Sequence, residues 1–315
     1  MSPLSRGILS LVAILGTFVL LHLSLHGIGH FFRYRRDTAD APLRGVEPVA
    51  GWGLPEVLVV FAFSLLSQLL IAPAVVAAVH GAQRLVMARP YPAAAGAWEE
   101  LTLTLGTRPQ VDPLVFNAYV LALSALATVV LVCLLVGRAG GSPLSTIGLH
   151  RFPTGQTCAR LVVLLLCFLF PCFLIKFIWV LLLQALGHEP ENQVPVTLFL
   201  EALERVDAGA ILALVIGAVL VAPVIEEVLY RGFLHTYLSR RFGFFPAAAV
   251  SALVFSLVHI TPSVYLPVFL LGFLLSAVYE RRGSLYDAIL FHALFNFFSL
   301  LSLAALSLLA PELVT

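Results

Sequence analysis

Two adjacent carboxylates, Glu226 and Glu227, lie in a long apolar run in the second half of the chain. Arg231 follows Glu227 by four residues, which is the spacing of an ion pair within one helix. A carboxylate in a low-dielectric environment can act as a general base toward water. We therefore expect Glu226 to act as a general base, while Glu227 and Arg231 hold that face of the helix in place. The alternative is a buried ion-pair network that only fixes helix packing.

Two histidines and an asparagine stand in later apolar runs. His259 ends one run, and His292 and Asn296 lie four residues apart, so they share one face of a helix. A histidine beside a carboxylate can share the proton of a water molecule, and a histidine with a carboxamide can donate to a developing oxyanion. These residue types together favour hydrolysis. Taken singly, His259 is also typical of a packed core histidine, and Asn296 of a hydrogen bond between helices.

The spacing along the chain allows these side chains to meet. Glu226 lies 17 residues before Gly243, and His259 lies 16 residues after it. If a turn at Gly243 joins two antiparallel helices, a rise of about 1.5 Å per residue places both side chains about 24 Å from that turn. The histidine and asparagine of the last run stand 9 and 13 residues after Gly283, which we expect to be a second turn. The sequence therefore predicts one polar site inside a helical bundle.

The composition excludes most soluble classes of protein. Of the 315 residues, 60% are hydrophobic and 11% are charged, and the mean hydropathy is +1.01, whereas a soluble domain carries about 25% charged residues. The formal charge of +1 argues against the broad electrostatic surface that a nucleic-acid binder needs. The four cysteines form no Cys-x-x-Cys pair, so they indicate neither a zinc site nor disulfides. We expect an integral membrane protein that binds no nucleic acid.

Eight apolar runs approach or exceed the length of about 20 residues that a membrane-spanning helix needs. The expected fold class is therefore all-α, a polytopic membrane helix bundle of about eight transmembrane helices. The sixth and seventh spans are short, which suggests helices packed inside the bundle or leading to a cavity. The runs lie near residues 7–27, 55–79, 113–137, 161–186, 209–239, 245–260, 264–279 and 285–309.

The arginines predict the orientation of the chain in the membrane. Twelve of the 17 arginines fall in or beside the loops that follow the first, third, fifth and seventh spans. These loops are therefore expected in the cytoplasm, with both termini outside and the acidic loop 188–207 on the outer side. In this orientation the polar site opens to the cytoplasmic side.

At these residues the chain resembles a known family. The patterns Glu-Glu-x-x-x-Arg at 226–231, Phe-x-x-x-His at 255–259 and His-x-x-x-Asn at 292–296 are similar to the three motifs of the CPBP family of intramembrane proteases. The family comprises type II CAAX prenyl endopeptidases and bacterial CAAX protease and bacteriocin-processing proteins, also called the Abi family. The resemblance covers about residues 142–300. It implies a catalytic membrane domain of five helices over 142–310, preceded by an N-terminal accessory transmembrane region of three helices over 1–141.

The resemblance implies an intramembrane endopeptidase of the glutamate or the metallo type. Carried over residue by residue, Glu226 activates a water molecule together with His259, and His292 with Asn296 stabilises the oxyanion. The supporting residues are implied to be Glu227 and Arg231.

The sequence does not decide whether the site uses a metal ion. We favour hydrolysis without a metal, since the chain has no His-Glu-x-x-His pair. The alternative is a divalent metal such as zinc, bound by Glu226, His259 and His292, because zinc accepts two histidines and a glutamate in catalytic sites.

The expected partners are the lipid bilayer and a substrate that is a membrane-embedded or lipidated peptide or protein. A bacterial member of this family would trim a bacteriocin, a pheromone or a membrane regulator, and we expect the plasma membrane of a prokaryote. Two alternatives to a protease remain open. One is a non-catalytic membrane module of the same fold that binds a peptide or confers immunity, and the other is a transporter, which the lack of an internal repeat disfavours.

A further group of histidines lies along the first apolar run. His22, His26 and His30 follow one another at four-residue spacing, so they share one helix face. Such spacing can bind a transition metal, but no carboxylate accompanies them on that helix. We expect histidines that pack or reach toward the membrane interface, and a surface position for His235.

Overall fold

The computed structural model describes residues 15–30, 52–67, 113–138 and 142–309. Every regular element in these ranges is a helix, and none of these residues lies in a strand. The expected all-α class is confirmed. Parts of the predicted spans near 7–27 and 55–79, and the loops with several of the arginines, lie outside the described residues.

The first half of the chain contributes three described helices. Residues 15–30 form α1, α2 covers Leu54–Leu66 and α3 covers Pro113–Arg138. The start of α2 is capped by the side chain of Glu56, which accepts a hydrogen bond from Gly53 N–H at 2.7 Å.

The chain divides into two compact units, Gly53–Leu135 and Met1–Trp52 together with Val136–Thr315. The first of these units contains α2 and most of α3, and the second contains all three polar motifs. The division at residue 141 that the family resemblance implies stays a prediction.

The unit with the polar motifs is built mainly of helices that follow one another along the chain. Gly243 and Gly283 turn the chain between successive helices, with φ of 74° and 62°, at the two positions where the sequence predicts turns. The described helices from residue 142 onward are α4 (Pro143–Thr146), α5 (Gly155–Ala185), α6 (Val194–Glu204), α7 (Ala208–Phe242), α8 (Phe244–Leu257), α9 (Tyr265–Arg282) and α10 (Leu285–Leu309).

Four of the described helical segments are long and apolar enough to cross a membrane. They correspond to the fourth, fifth, seventh and eighth predicted spans. The sixth predicted span is α8, whose 14 residues rise about 21 Å, less than the hydrocarbon thickness of about 30 Å. The expected count of about eight transmembrane helices is therefore not confirmed. The four segments are Gly155–Ala185, Ala208–Phe242, Pro262–Arg282 and Leu285–Leu309.

Helix α6 is not predicted by the sequence pattern and lies inside the acidic stretch 188–207, which was expected to be a loop. This helix carries Pro195 in its first turn, where the missing N–H costs nothing. It buries Phe199 and Ala202, which are three residues apart and so face the same side. The apolar spacing within the acidic stretch is the signal that could have indicated a helix.

Small residues allow α8 and α9 to approach closely. A Cβ atom at Gly272 would lie 3.1 Å from the Cα of Ala252 and 3.1 Å from a ring carbon of Phe255. This close approach leaves the Gly272 carbonyl within reach of α7, where the Arg231 Nη2 donates to it at 3.0 Å. The packing of two apolar helices thus supplies a hydrogen-bond acceptor to the polar site.

The start of α10 is fixed by backbone contacts with the segment before α5. Leu285 N–H donates to the Gly148 carbonyl at 3.0 Å. Gly148 has a φ of 83°, which favours glycine, and a Cβ atom there would lie 2.6 Å from the Gly283 carbonyl oxygen. These contacts therefore fix where α10, the helix with the last polar motif, begins relative to the segment around Gly148.

We expect Gly148→Ala to destabilise the protein more than Gly187→Ala. Both glycines have a φ of 83°, so alanine meets the same backbone strain of about 1 kcal/mol at each position. A Cβ atom at Gly187 has no atom within 4 Å, whereas one at Gly148 meets a backbone oxygen, which adds about 1–3 kcal/mol of steric cost. Thermal unfolding of the two variants in detergent measures the difference, and equal unfolding temperatures would contradict the close backbone packing at Gly148.

Candidate active site

The helix that carries both glutamates, α7, contains two segments with π-helical bonding. Gly217–Val221 and Val228–His235 are π-helical, and the α-helical stretch Ala222–Glu227 lies between them. Segments of this kind inside helices occur frequently at functional sites. Because a π segment holds more residues per turn than an α-helix, the side chains after it point in a different direction from those of a regular helix.

Side-chain hydroxyls satisfy backbone carbonyls of the second π segment. Thr236 Oγ1 donates to the Arg231 carbonyl at 2.9 Å, and Ser251 Oγ donates to the Tyr230 carbonyl at 2.9 Å. A carbonyl without a partner is costly in an apolar environment. The two hydroxyls therefore stabilise the irregular backbone next to the glutamates.

The ion pair predicted between Glu227 and Arg231 is present and fully buried. Arg231 Nη1 donates to Glu227 Oε1 at 2.7 Å, and both side chains are 0% exposed. The other nitrogen, Nη2, donates to the Gly272 carbonyl, and the guanidinium carbon lies 4.5 Å from the ring centroid of Phe255. One arginine thus ties α7 to both α8 and α9.

His292 joins this buried pair from α10. Its Nδ1 lies 2.9 Å from Glu227 Oε1, the same oxygen that accepts from Arg231. Because a carboxylate can only accept hydrogen bonds, Nδ1 of His292 carries a proton and donates. The opposite ring nitrogen, Nε2, lies 3.7 Å from Glu226 Oε2. Glu227 therefore orients the imidazole so that its free edge faces Glu226.

Glu226 is the accessible member of the two glutamates. Its side chain is 29% exposed, in contrast to the full burial of Glu227. The 3.7 Å between Glu226 Oε2 and His292 Nε2 is too long for a direct hydrogen bond, and it is short enough for a water molecule beside the two atoms to contact both. Two carboxylates and one arginine leave one negative charge in this group when the His292 ring is neutral.

His259 lies just beyond the last residue of α8, Leu257. Its Nδ1 is 2.8 Å from the Phe255 carbonyl, and a carbonyl accepts, so Nε2 is left as a possible acceptor. The His259 ring packs edge-on against Phe255 with 4.9 Å between centroids, and the centroid of the same phenylalanine ring lies 5.9 Å from that of His292. Phe255 thus contacts both histidines of the site.

Hydrogen bonds from side chains to backbone carbonyls hold the segment that carries this histidine. The donors come from α5, from α8 and from the segment itself, so the loop is fastened to several parts of the bundle. The bonds are Trp179 Nε1 to the Pro262 carbonyl at 2.8 Å, Ser256 Oγ to the Tyr265 carbonyl at 2.6 Å and Ser263 Oγ to the Glu191 carbonyl at 2.8 Å.

Asn296 contacts the first π segment of α7. Its Nδ2 donates to the Ala218 carbonyl at 2.8 Å. The amide carries two N–H donors, so this bond leaves one for another acceptor. Asn296 lies one helical turn beyond His292 on the same face of α10.

The structure brings some of the predicted site residues into direct contact and links the others only through intervening groups. Glu226, Glu227, Arg231 and His292 form one compact group, whereas His259 is linked to it through Phe255. The Asn296 side chain is linked to the group through the backbone of α7. The catalytic roles of these residues stay predictions.

The metal considered from the sequence would need Glu226, His259 and His292 close together. Within the ranges that the structure describes, no group of three histidine, cysteine or acidic side chains is close enough to hold a metal ion. In this arrangement the three side chains therefore do not form a metal-binding group. The same holds for His22, His26 and His30, of which the first two have ring centroids 6.3 Å apart.

Two residues, Phe255 and Gly272, contribute to the site although the sequence pattern did not predict that they would. Phe255 is part of the second motif, and its position four residues before His259 is a signal for contact on one helix face. Gly272 has no comparable signal, since its carbonyl matters only through the packing of α9. The surface position expected for His235 is wrong: it is 0% exposed, with Nε2 3.3 Å from Glu280 Oε2, because the π segment directs it into the bundle.

We expect Glu227→Gln to destabilise the protein by about 3–5 kcal/mol, because Arg231 would be left buried without a counter-charge. The same isosteric change at the neighbouring residue, Glu226→Gln, should cost less than about 1 kcal/mol, since that side chain is partly exposed and makes no short ion pair. Unfolding of both variants in detergent, followed by heat or by denaturant, gives the comparison. Equal losses of stability would mean that the buried pair does not carry this energetic weight.

Residues 208–298 match the family model described as type II CAAX prenyl endopeptidase Rce1-like. The matched segment is less than a third of the chain and contains all three motifs. Neither a curated protein nor a solved structure matches the chain. The description names an endopeptidase, and four of the helical segments that the structure describes are apolar enough to cross a membrane, which fits an integral membrane peptidase. The resemblance of the motif-bearing part of this chain to the CPBP family of intramembrane proteases is thereby confirmed.

Proposed function

We propose that the protein is an intramembrane endopeptidase that hydrolyses a peptide bond in a membrane-associated peptide or protein. The observation that carries this proposal is the 3.7 Å approach of Glu226 Oε2 to His292 Nε2, with the buried Glu227–Arg231 pair behind it. A network that only fixes packing would need the paired glutamate alone, and a second carboxylate at this depth is costly without a role. The family match supports the same reaction class.

In the proposed reaction Glu226 is the general base. Its carboxylate takes a proton from a water molecule while the water oxygen attacks the carbonyl carbon of the scissile bond. His259 orients the same water through Nε2, which the bond from Nδ1 to the Phe255 carbonyl leaves as an acceptor. The proton then passes to the departing amine as the C–N bond breaks, so that one carboxylic acid and one amine are formed.

His292 and Asn296 are proposed to stabilise the oxyanion that forms during the attack. A protonated His292 makes the charged group neutral overall, keeps Nδ1 on Glu227 and presents a proton on Nε2 to the oxyanion. Asn296 supplies the amide N–H that is not engaged by the Ala218 carbonyl. Loss of one such donor typically lowers kcat by about 100- to 1000-fold.

Glu227 and Arg231 are proposed as supporting residues. Neither side chain is exposed, so neither is available to a substrate. Their role is to hold the His292 ring in one orientation and, with it, the distance to Glu226.

We propose a membrane-embedded or lipidated peptide or protein as the substrate. Only 6% and 11% of the most apolar windows of α7 and α10 are buried, so the two helices that carry most of the site expose apolar surface suited to lipid. The distribution of arginines supports a site that opens toward the cytoplasm. The plasma membrane of a prokaryote is the proposed location.

A divalent metal is the alternative source of the attacking hydroxide, because a bound metal ion lowers the pKa of its water. Glu226, His259 and His292 would hold it. We expect the purified protein to keep its peptidase activity after dialysis against a chelator, since no such group of ligands is assembled in the described ranges. Metal analysis of the same samples is the check. Stoichiometric metal whose removal abolishes activity, and whose return restores it, would establish the metallo type instead.

A non-catalytic membrane module of the same fold is the second candidate. The buried contacts among Glu227, Arg231 and His292 are compatible with this candidate, because they would stabilise a binding scaffold as well as an enzyme. Such a module has no need of the partly exposed carboxylate of Glu226, so the two candidates differ at that residue.

We expect Glu226→Gln to abolish cleavage, with a loss of about 100-fold or more in rate. Peptide termini are compared by mass spectrometry in membranes of one host expressing wild type, Glu226→Gln or Glu201→Gln at matched levels. Glu201 is the control, because its side chain is exposed and pairs with Arg205 on the surface of α6. New termini should appear with wild type and with the control and be absent with Glu226→Gln. The same termini in all three membranes, with all proteins folded, would favour the binding module.

A further inference from the structure

The carbonyl that Asn296 contacts has lost its partner within α7. In the first π segment the Ala222 N–H donates to the Gly217 carbonyl, five residues back. The donor that would serve the Ala218 carbonyl in a regular α-helix is therefore already used. The next donor along the chain would be residue 223, in the same five-residue register.

Residue 223 is a proline, which has no N–H. Both helical registers thus fail to supply a backbone donor to the Ala218 carbonyl. In an apolar bundle an unbonded carbonyl costs free energy comparable to a lost hydrogen bond. The backbone of α7 therefore presents an acceptor on its side that a neighbouring side chain can satisfy.

Asn296 is the side chain that does so, with Nδ2 at 2.8 Å from this oxygen. The bond fixes the position of α10 along α7 at one point. His292 lies one turn away from Asn296 on the same helix face, and Glu226 lies three residues beyond Pro223. The register of the two helices at this bond thus bears directly on the distance between Glu226 and His292.

We propose that Pro223 is a positioning residue: by withholding its N–H, it leaves the Ala218 carbonyl free to hold the Asn296 amide. This inference rests on the proposed function for its catalytic consequence, since a held amide keeps its second N–H directed toward the oxyanion. Its structural part, the dependence of the Asn296 bond on Pro223, stands without any catalysis.

The test is a double-mutant cycle of Pro223→Ala and Asn296→Ala in the full-length protein, with unfolding temperature in detergent as the first readout. Alanine at 223 restores an N–H, which can serve the freed carbonyl. We expect Asn296→Ala to lower the unfolding temperature, and to lower it by less than about half as much when Pro223→Ala is present. The matched control is Pro171→Ala, which also removes a proline from inside a long helix, α5. In that background the effect of Asn296→Ala should be unchanged.

The second readout is peptidase kinetics on the substrate found by comparing termini. Pro223→Ala should lower kcat by about 10- to 100-fold with little change in KM, because the amide is misplaced rather than removed. The double variant should have about the kcat of Asn296→Ala alone, because the position of the amide no longer matters once the amide is removed. Pro171→Ala should keep the activity of wild type.

Each outcome separates the inference from the proposed function. One outcome is that the effects of Pro223→Ala and Asn296→Ala on the unfolding temperature are coupled, while neither wild type nor any variant has peptidase activity. This outcome supports the inference and contradicts the proposed function. Activity that depends on Glu226, with additive effects of the two changes on stability, overturns the inference alone. Failure of Pro223→Ala to fold while Pro171→Ala folds would also overturn it, because the proline would then be needed for packing rather than for freeing a carbonyl.

Discussion

A carboxylate without access to solvent, that of Glu227, governs the arrangement of the helices around it. A charge in an apolar interior is tolerated only when an opposite charge and hydrogen-bond donors surround it. Glu227 obtains both from Arg231 on its own helix and from His292 on α10. Arg231 in turn takes partners from α8 and α9, so four helices are committed to one charge. The contacts that Glu227 makes through Oε1 also direct the free edge of His292 toward Glu226.

The backbone of α7 is adapted to the same end. Two π segments flank the short stretch with both glutamates, and side chains donate hydrogen bonds to backbone carbonyls of each segment. Asn296 serves the first segment, and hydroxyls of Thr236 and Ser251 serve the second. Irregular backbone inside a membrane bundle is tolerated only where protein groups meet its polar atoms. The irregularity therefore links the position of α10 to the site.

Helical rise predicted that the polar residues of the three motifs lie in one part of the bundle, because residue spacing from a turn fixes depth. The same arithmetic placed Glu226 level with His259, whereas the structure brings the Glu226 carboxylate within 3.7 Å of His292 Nε2. Residue spacing does not fix rotation about the helix axis, which the π segments change. For this reason His235 was expected at the surface and is buried, and the hydrogen bond from Asn296 to the Ala218 carbonyl was not predicted. The apolar pattern also does not predict the number of membrane-spanning helices, because an apolar run does not show at which residue a helix such as α8 ends.

The protonation of the two ring nitrogens of His292 tests the central claim most directly. Nitrogen-15 NMR of histidine-labelled protein in lipid nanodiscs separates protonated from unprotonated ring nitrogens, and the signals of His292 are assigned by their loss in His292→Asn. If Glu227 holds the ring, Nδ1 of His292 carries a proton in the folded protein and gives the signal of a protonated ring nitrogen. A neutral ring with its proton on Nε2 and none on Nδ1 would contradict the hydrogen bond on which the proposed site depends.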